Sequence, residues 1–147
     1  MINGIVDILK GVEKMNEAVL NKLKLNKHNT IAVLNPPEEF LNVLGSFSGT
    51  VDKEIKSEYS YIQIFIYSQK EIIDMGQRLT NAISGDGFLW ICYPKGTSKK
   101  YKKCDCNRDT LREVLTPYGF EGVSLISLDD DWSAMRVRNS AYIKNQK

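Results

Sequence analysis

Residues 61–67, Tyr-Ile-Gln-Ile-Phe-Ile-Tyr, run without a break into Ser68-Gln-Lys-Glu71. The first segment is rich in β-branched and aromatic residues, as in a strand buried on both faces. The second is a capping box, in which Ser68 and Glu71 satisfy backbone amides at the start of a helix. Ile72, Ile73, Gly76, Leu79 and Ile83 then follow at helical spacing. A doubly buried strand that feeds straight into a helix needs cover on its other face as well. This combination restricts the chain to a largely parallel sheet between two layers of helices.

The same punctuation recurs on both sides. Ile31-Ala-Val-Leu34 is a short apolar run, followed by Asn35-Pro36-Pro37-Glu38-Glu39. Asn35 can cap a helix, proline suits its first position, and the glutamates complement its dipole. Phe40, Leu41 and Leu44 give that helix its buried face, and Gly45 can stop it. Residues 46–58 are polar, with a short strand expected near Thr50-Val51. Gly85-Asp86-Gly87 is expected to end the helix begun at Ser68, and residues 88–93 to form the next strand. Asn107 or Asp109 caps a further helix, buried through Leu111, Val114 and Leu115 and closed by Pro117-Tyr-Gly119. Residues 123–128 and 132–138 read as two strands. The gap of about three residues between them permits only an antiparallel hairpin.

Residues 2–24 carry Ile2, Ile5, Leu9, Val12, Val19 and Leu23 at helical spacing, with Asn16 filling the gap. Read as heptads, this is a dimer seam with an asparagine fixing register. Val6, Ile8, Met15 and Leu20 widen the stripe, which favours packing on the chain's own core. The expected fold is therefore α/β, one domain over residues 1–147. An N-terminal amphipathic helix (1–24) precedes an α/β core (25–139) and a tail (140–147). The core is a three-layer, Rossmann-like, mostly parallel sheet with helices on both faces and a C-terminal antiparallel hairpin.

Several function classes are disfavoured. A net charge of +2 supplies no field toward nucleic acid or membrane. No apolar run reaches the roughly 18 residues of a spanning helix. The first twenty residues carry acids and no signal-peptide pattern, so a cytoplasmic location is expected. Cys92, Cys104 and Cys106 are odd in number, which fits reduced thiols. With His28 the single histidine and no CxxC or HxxxH spacing, no metal site is expected. The GxGxxG and GxxxxGK[ST] phosphate-binding patterns are absent, and no cofactor is expected. There is no GxSxG elbow, and His28 precedes the first strand. The loop bearing Lys95, Lys99, Lys100, Lys102 and Lys103 has one aromatic, Tyr101, and no RNA-binding signature, so nucleic acid is not an expected partner.

Asp129-Asp130-Asp131 falls at the hairpin turn, where aspartate bonds nearby amides. It lacks the alternate ligands, glycine and terminal glutamate of a calcium loop. In the strand that follows, Met135 and Val137 share one face; Trp132, Ala134, Arg136 and Arg138 share the other. Read as an edge strand, it turns its arginines to water. It would also leave Trp132 and Arg136 available to a partner, including a second copy of the chain.

Two resemblances follow from these segments. Through "VLNPPEEF", "GFLWICYPK" (87–95), "NRDTLREVL" (107–115) and "DDDWSAMRVRN" (129–139), the chain resembles an uncharacterised bacterial family over most of residues 25–139. Lysine, asparagine and isoleucine usage fits a low-GC bacterium. Strand, helix, Gly-Asp-Gly, strand and Tyr-Pro-Lys, closed by an antiparallel hairpin, is similar to the later half of class I methyltransferase domains. The resemblance implies an adenosylmethionine site at a glycine-rich loop after the first strand. Asn35-Pro36-Pro37-Glu38 stands there instead, and two prolines remove amide donors while side chains fill the space glycine leaves open.

Open α/β sheets bind ligands at the carboxyl ends of their strands. The candidates there are Asn35, Pro36, Tyr67, Ser68, Tyr93, Lys95, Thr97 and Ser98, with Lys95 able to hold a carboxylate or phosphate. Three functions compete: a non-catalytic binding or interaction module, an enzyme or binder of a small anionic ligand, and a self-associating protein.

Overall fold

A computed structural model describes residues 2–101 and 104–143, with side chains described from Lys10 onward. Helix α1 (Ile2–Leu23) leads through a short 3-10 turn into β1 (Thr30–Leu34). Then come α2 (Glu38–Leu44), β2 (Thr50–Asp52), β3 (Tyr59–Phe65), α3 (Gln69–Ala82) and β4 (Ile83–Pro94). The chain continues with α4 (Arg108–Leu115), β5 (Phe120–Ser127) and β6 (Trp132–Asn139). The strands form one sheet in the order β2-β1-β3-β4-β6-β5. β2, β1, β3 and β4 are mutually parallel, and β6 is antiparallel to both β4 and β5.

Strand alternation divides the core in two. Ile62, Ile64 and Ile66 join Ala32, Leu89, Ile91 and Met135 beneath α3 and α4. Tyr61 and Phe65 face the other way, with Ile31, Val33, Trp90 and Trp132 beneath α1 and α2. Leu20 and Leu23 of α1 are buried in that second layer, and the Trp90 indole N–H donates to the Leu23 carbonyl at 3.1 Å. The last turns of α1 therefore pack on the chain's own core, while Val12 and Met15 stay exposed. The fold class is the one read from the sequence: three layers, Rossmann-like, closed by an antiparallel hairpin. The capping box of α3 is formed, and Asn107 caps α4 by accepting from the amides of Asp109 and Thr110. Gly76 lets the Tyr118 ring lie flush on α3, where an added Cβ would meet Tyr118 Cε2 at 2.3 Å.

Three local expectations are corrected. β6 is not the edge strand, because it inserts between β4 and β5, with Cys92 opposite Ala134 and Leu125 opposite Met135. A short turn dictates that two strands pair, but not which of them also pairs with β4. The C-terminal edge is β5, where Val123 and Leu125 are exposed, so β6 has no free edge to offer a partner strand. Gly85-Asp86-Gly87 does not end α3. It lies inside β4, where Gly85 adopts φ 53°, a left-handed conformation glycine takes freely. Asp86 there accepts two bonds from Arg138, at 3.0 and 2.6 Å, tying the start of β4 to the end of β6. Asn35 does not cap α2, whose N-cap is Pro37. It is itself left-handed at φ 56°, a conformation asparagine tolerates, and its side-chain amide donates to the Phe65 carbonyl at 3.2 Å.

At the amino ends of the strands, His28 packs between Tyr61 and Phe88, and its Nδ1 bonds Ser60 Oγ at 2.8 Å. Its Nε2 is buried without a partner among the described residues. Burial, helped by the Lys27 charge, pulls the imidazole pKa below its ordinary 6.5. The fold therefore favours the neutral ring. Stability should fall as pH drops below about 6.5 toward the lowered folded value, because the unfolded chain takes the proton first. His28→Phe is expected to remove that slope, read as urea midpoints between pH 7 and 5. An identical slope in the variant would show that other groups carry it.

Candidate functional site

The carboxyl ends of β1, β3 and β4 form one rim, and its two sides differ. On the α2 side it is closed. Glu39, in the first turn of α2, directs its carboxylate at the loops after β3 and β4. Oε2 accepts from the Tyr101 hydroxyl at 2.8 Å and the Trp132 indole N–H at 3.1 Å; Oε1 accepts from Lys100 Nζ at 3.2 Å. Tyr67, Tyr101 and Trp132 pack on one another with centroids 4.9–5.6 Å apart, and Trp132 meets Phe65 edge-on at 5.1 Å. Burial opposes ionisation of Glu39. Its backbone amide and the donors Tyr101, Trp132 and Lys100 outweigh that and hold its pKa at about 2.

Trp132 is thus 1% exposed, not a partner-facing residue. Arg136 is half-buried, its guanidinium stacked 3.8 Å over the Phe88 ring. The remaining candidates do not converge. Ser68 belongs to the α3 cap, and Tyr93 is buried under α3 and α4. Lys95 Nζ donates to Ser127 Oγ at 2.6 Å, and its amide to the Asp131 carbonyl. Thr97 is exposed in the loop. Ser98 Oγ donates to Asp131 at 2.7 Å and accepts from the amides of Lys100 and Tyr101. Lys95 and Ser98 therefore staple the β4 exit loop to the hairpin turn. In that turn Asp129 Oδ1 accepts from the amides of Asp131 and Trp132, each at 2.8 Å. Lys102 and Lys103 lie outside the described residues.

On the α3 side the rim is open. β2 and β3 are joined by residues 53–58 alone, whereas parallel strands usually need a dozen or more residues and a helix. The Tyr59 hydroxyl pins this crossover, donating to Asp52 at 2.7 Å and accepting from the Lys56 amide at 3.1 Å. Between it and α3 lies a cleft of about 470 Å³ over the ends of β1 and β3. Asn35 is the one sequence candidate in its lining. Glu71 reads in the sequence only as the capping-box residue of α3, and Lys53, Glu54, Asp74 and Arg78 were not anticipated, because none of those four stands in a motif. Burial raises the pKa of the Cys92 and Cys106 thiols, and the three cysteines are unpaired. Among the described residues, no three His, Cys, Asp or Glu side chains group as metal ligands, and no helix is long and apolar enough to cross a membrane.

No family model matches the chain, and no curated protein matches its sequence. Its fold is similar to that of solved methyltransferases. Mitomycin 7-O-methyltransferase superposes with a TM-score of 0.61 at 8% identity, over 78% of this chain and 50% of that one. The N-methyltransferase NodS from Bradyrhizobium japonicum gives 0.54 at 12%, over 88% and 97% of the two chains. Human N-acetylserotonin methyltransferase gives 0.55 at 8%, over 84% and 51%. The chain thus spans half the length of two of these proteins and nearly all of NodS. At such identities the likeness is one of architecture: the chain has a Rossmann-like, methyltransferase-like fold.

Proposed function

We propose that this chain is a non-catalytic binding or interaction module built on methyltransferase-like architecture, acting as one domain in a bacterial cytoplasm. The resemblance to an uncharacterised bacterial family through the 87–95 and 129–139 motifs supports the setting. One observation carries the functional reading. The α2 side of the rim is filled by Tyr67, Tyr101 and Trp132, locked on Glu39. A cofactor entering there would have to break a three-donor carboxylate site and expose a buried tryptophan. The turn after β1 adds to this obstacle. Pro36 and Pro37 offer no amide hydrogens, and the Asn35 side chain is already spent on Phe65.

Isothermal titration with S-adenosylmethionine and S-adenosylhomocysteine is expected to give no binding at millimolar ligand. Incubation with S-adenosylmethionine is expected to release no S-adenosylhomocysteine. Micromolar affinity for either compound, or steady release, would overturn the reading.

A further inference from the structure

We propose that the flank of α1 bearing Met15, with the hollow beside it, is an interface on which a second copy of this chain docks. This rests on the binding-module reading and names the partner. The helix outruns its support. α1 spans 22 residues and α2 beside it spans 7, about 33 Å against about 10 Å. Asn16 marks where that support ends: its side-chain amide donates to the Asn42 carbonyl at 3.2 Å and to Ser46 Oγ at 3.1 Å. From Lys10 to Met15 every residue is exposed. Met15 is 70% exposed, more than any other large apolar residue among those described, and Val12 is 46% exposed.

Beside Met15 lies a hollow of about 150 Å³. Its walls are mostly apolar: Met15 and Val19 of α1, Phe40 and Val43 of α2, and Leu128 and Trp132 of the hairpin. A hollow of that size holds a group about as large as benzene. One methionine side chain fits it, being unbranched and able to follow an irregular wall. A single patch therefore carries both an apolar knob and an apolar hole. A two-fold axis would place each Met15 in the hollow of the other copy, an isologous contact that closes on itself. Charge agrees with this pairing. Lys14 adjoins Met15 and Lys22 shares its flank two turns on; both are exposed and neither forms an ion pair among the described residues. The hollow ends at the hairpin turn, where Asp129 lines it and Asp130 follows, both exposed and without a cationic partner among those residues. The remaining lining carboxylate, Glu39, is held by Lys100. Glu13 and Glu17 lie roughly 160° round α1 from Met15 and face away from a partner seated there. The knob thus arrives with cations and the hole is rimmed by carboxylates. Both halves of this match sit on one surface, which is what selects a second copy over an unrelated helix.

Analytical ultracentrifugation of the full chain from about 5 to 500 μM tests this. The mass is expected to rise from one chain toward two, with a midpoint in the micromolar range. Met15→Lys should weaken association at least about ten-fold. Lys14→Glu with Lys22→Glu should weaken it about three- to ten-fold, and adding Asp130→Lys to that pair should recover most of the loss. All four side chains are exposed, so unchanged thermal melts at the lowest concentration will establish that the variants fold. The proposal is overturned by a single chain at every concentration, by dimers whose affinity Met15→Lys or the lysine pair leaves unchanged, or by a charge swap that recovers nothing. A helix of another protein as the true occupant would show as that single chain. Such a result leaves the non-catalytic reading intact, whereas release of S-adenosylhomocysteine from S-adenosylmethionine removes that reading whatever the mass.

Discussion

Trp132→Ala is expected to destabilise the chain by about 3–5 kcal/mol, a large part of the roughly 5–15 kcal/mol that holds a domain together. The indole is 1% exposed and is contacted by the rings of Phe65, Tyr67 and Tyr101. Truncation removes that apolar surface and opens a cavity where β3, β6 and α2 meet. It also takes from Glu39 one of its three side-chain donors. Trp132→Phe separates the two effects. It keeps most of the ring packing and loses the N–H, so its cost should be closer to about 1–3 kcal/mol. Urea unfolding of both variants at neutral pH measures this. A loss of under about 1 kcal/mol for Trp132→Ala would place the residue in the range of ordinary surface substitutions. The closed rim would then be wrong.

The layers were legible in the sequence because they rest on periodicity. Tyr61 to Tyr67 alternates between the two cores as a doubly buried strand must, and the Ser68–Glu71 capping box fixes where α3 begins. What sequence spacing could not supply was adjacency between distant segments. The turn at 129–131 specified that β5 and β6 pair, but their order beside β4 is set by which strand carries more surface to bury. Trp132, Ala134, Met135 and Val137 are all buried, whereas Val123, Ser124 and Leu125 are exposed. That difference in density was present in the sequence and outweighs the arginines that suggested an edge. The rim failed for a related reason. Eight candidates were chosen because they follow strands, and strand ends point in several directions once loops fold back. Lys95 and Ser98 turned toward Ser127 and the aspartate turn, satisfying local polar groups. Glu39 looked like a helix-dipole residue because its partners Tyr101 and Trp132 lie 62 and 93 positions away. The open cleft was invisible because it comes from a helix that the 53–58 crossover lacks, and its charged residues share no motif.

Glu39→Gln is expected to cost about 1–3 kcal/mol at pH 7, and that cost should fade as the solution is acidified. The carboxylate accepts from Tyr101, Trp132 and Lys100, and an amide can replace one accepting oxygen but not both. Its folded pKa of about 2, against an ordinary value near 4.5, means that the fold prefers the ionised form. Between those two values the unfolded chain binds the proton and the native chain does not. The carboxylate's contribution is therefore complete above about pH 4.5 and is lost as pH falls toward about 2. Glutamine has no proton to bind and cannot follow that loss. Other acidic groups titrate in the same range, but they are present in both proteins and largely cancel in the difference. Urea midpoints of wild type and variant at intervals from pH 7 to 2.5 should converge, with the gap narrowing only below about pH 4.5. Parallel curves would mean that Glu39 is not held ionised by its three donors, and the lock on the α2 side of the rim would lose its charge. Convergence would tie the filled rim to a single carboxylate. Acid near pH 2 should then loosen the α2 side, while the cleft beneath α3, lined by Lys53 and Arg78, has no part in that network.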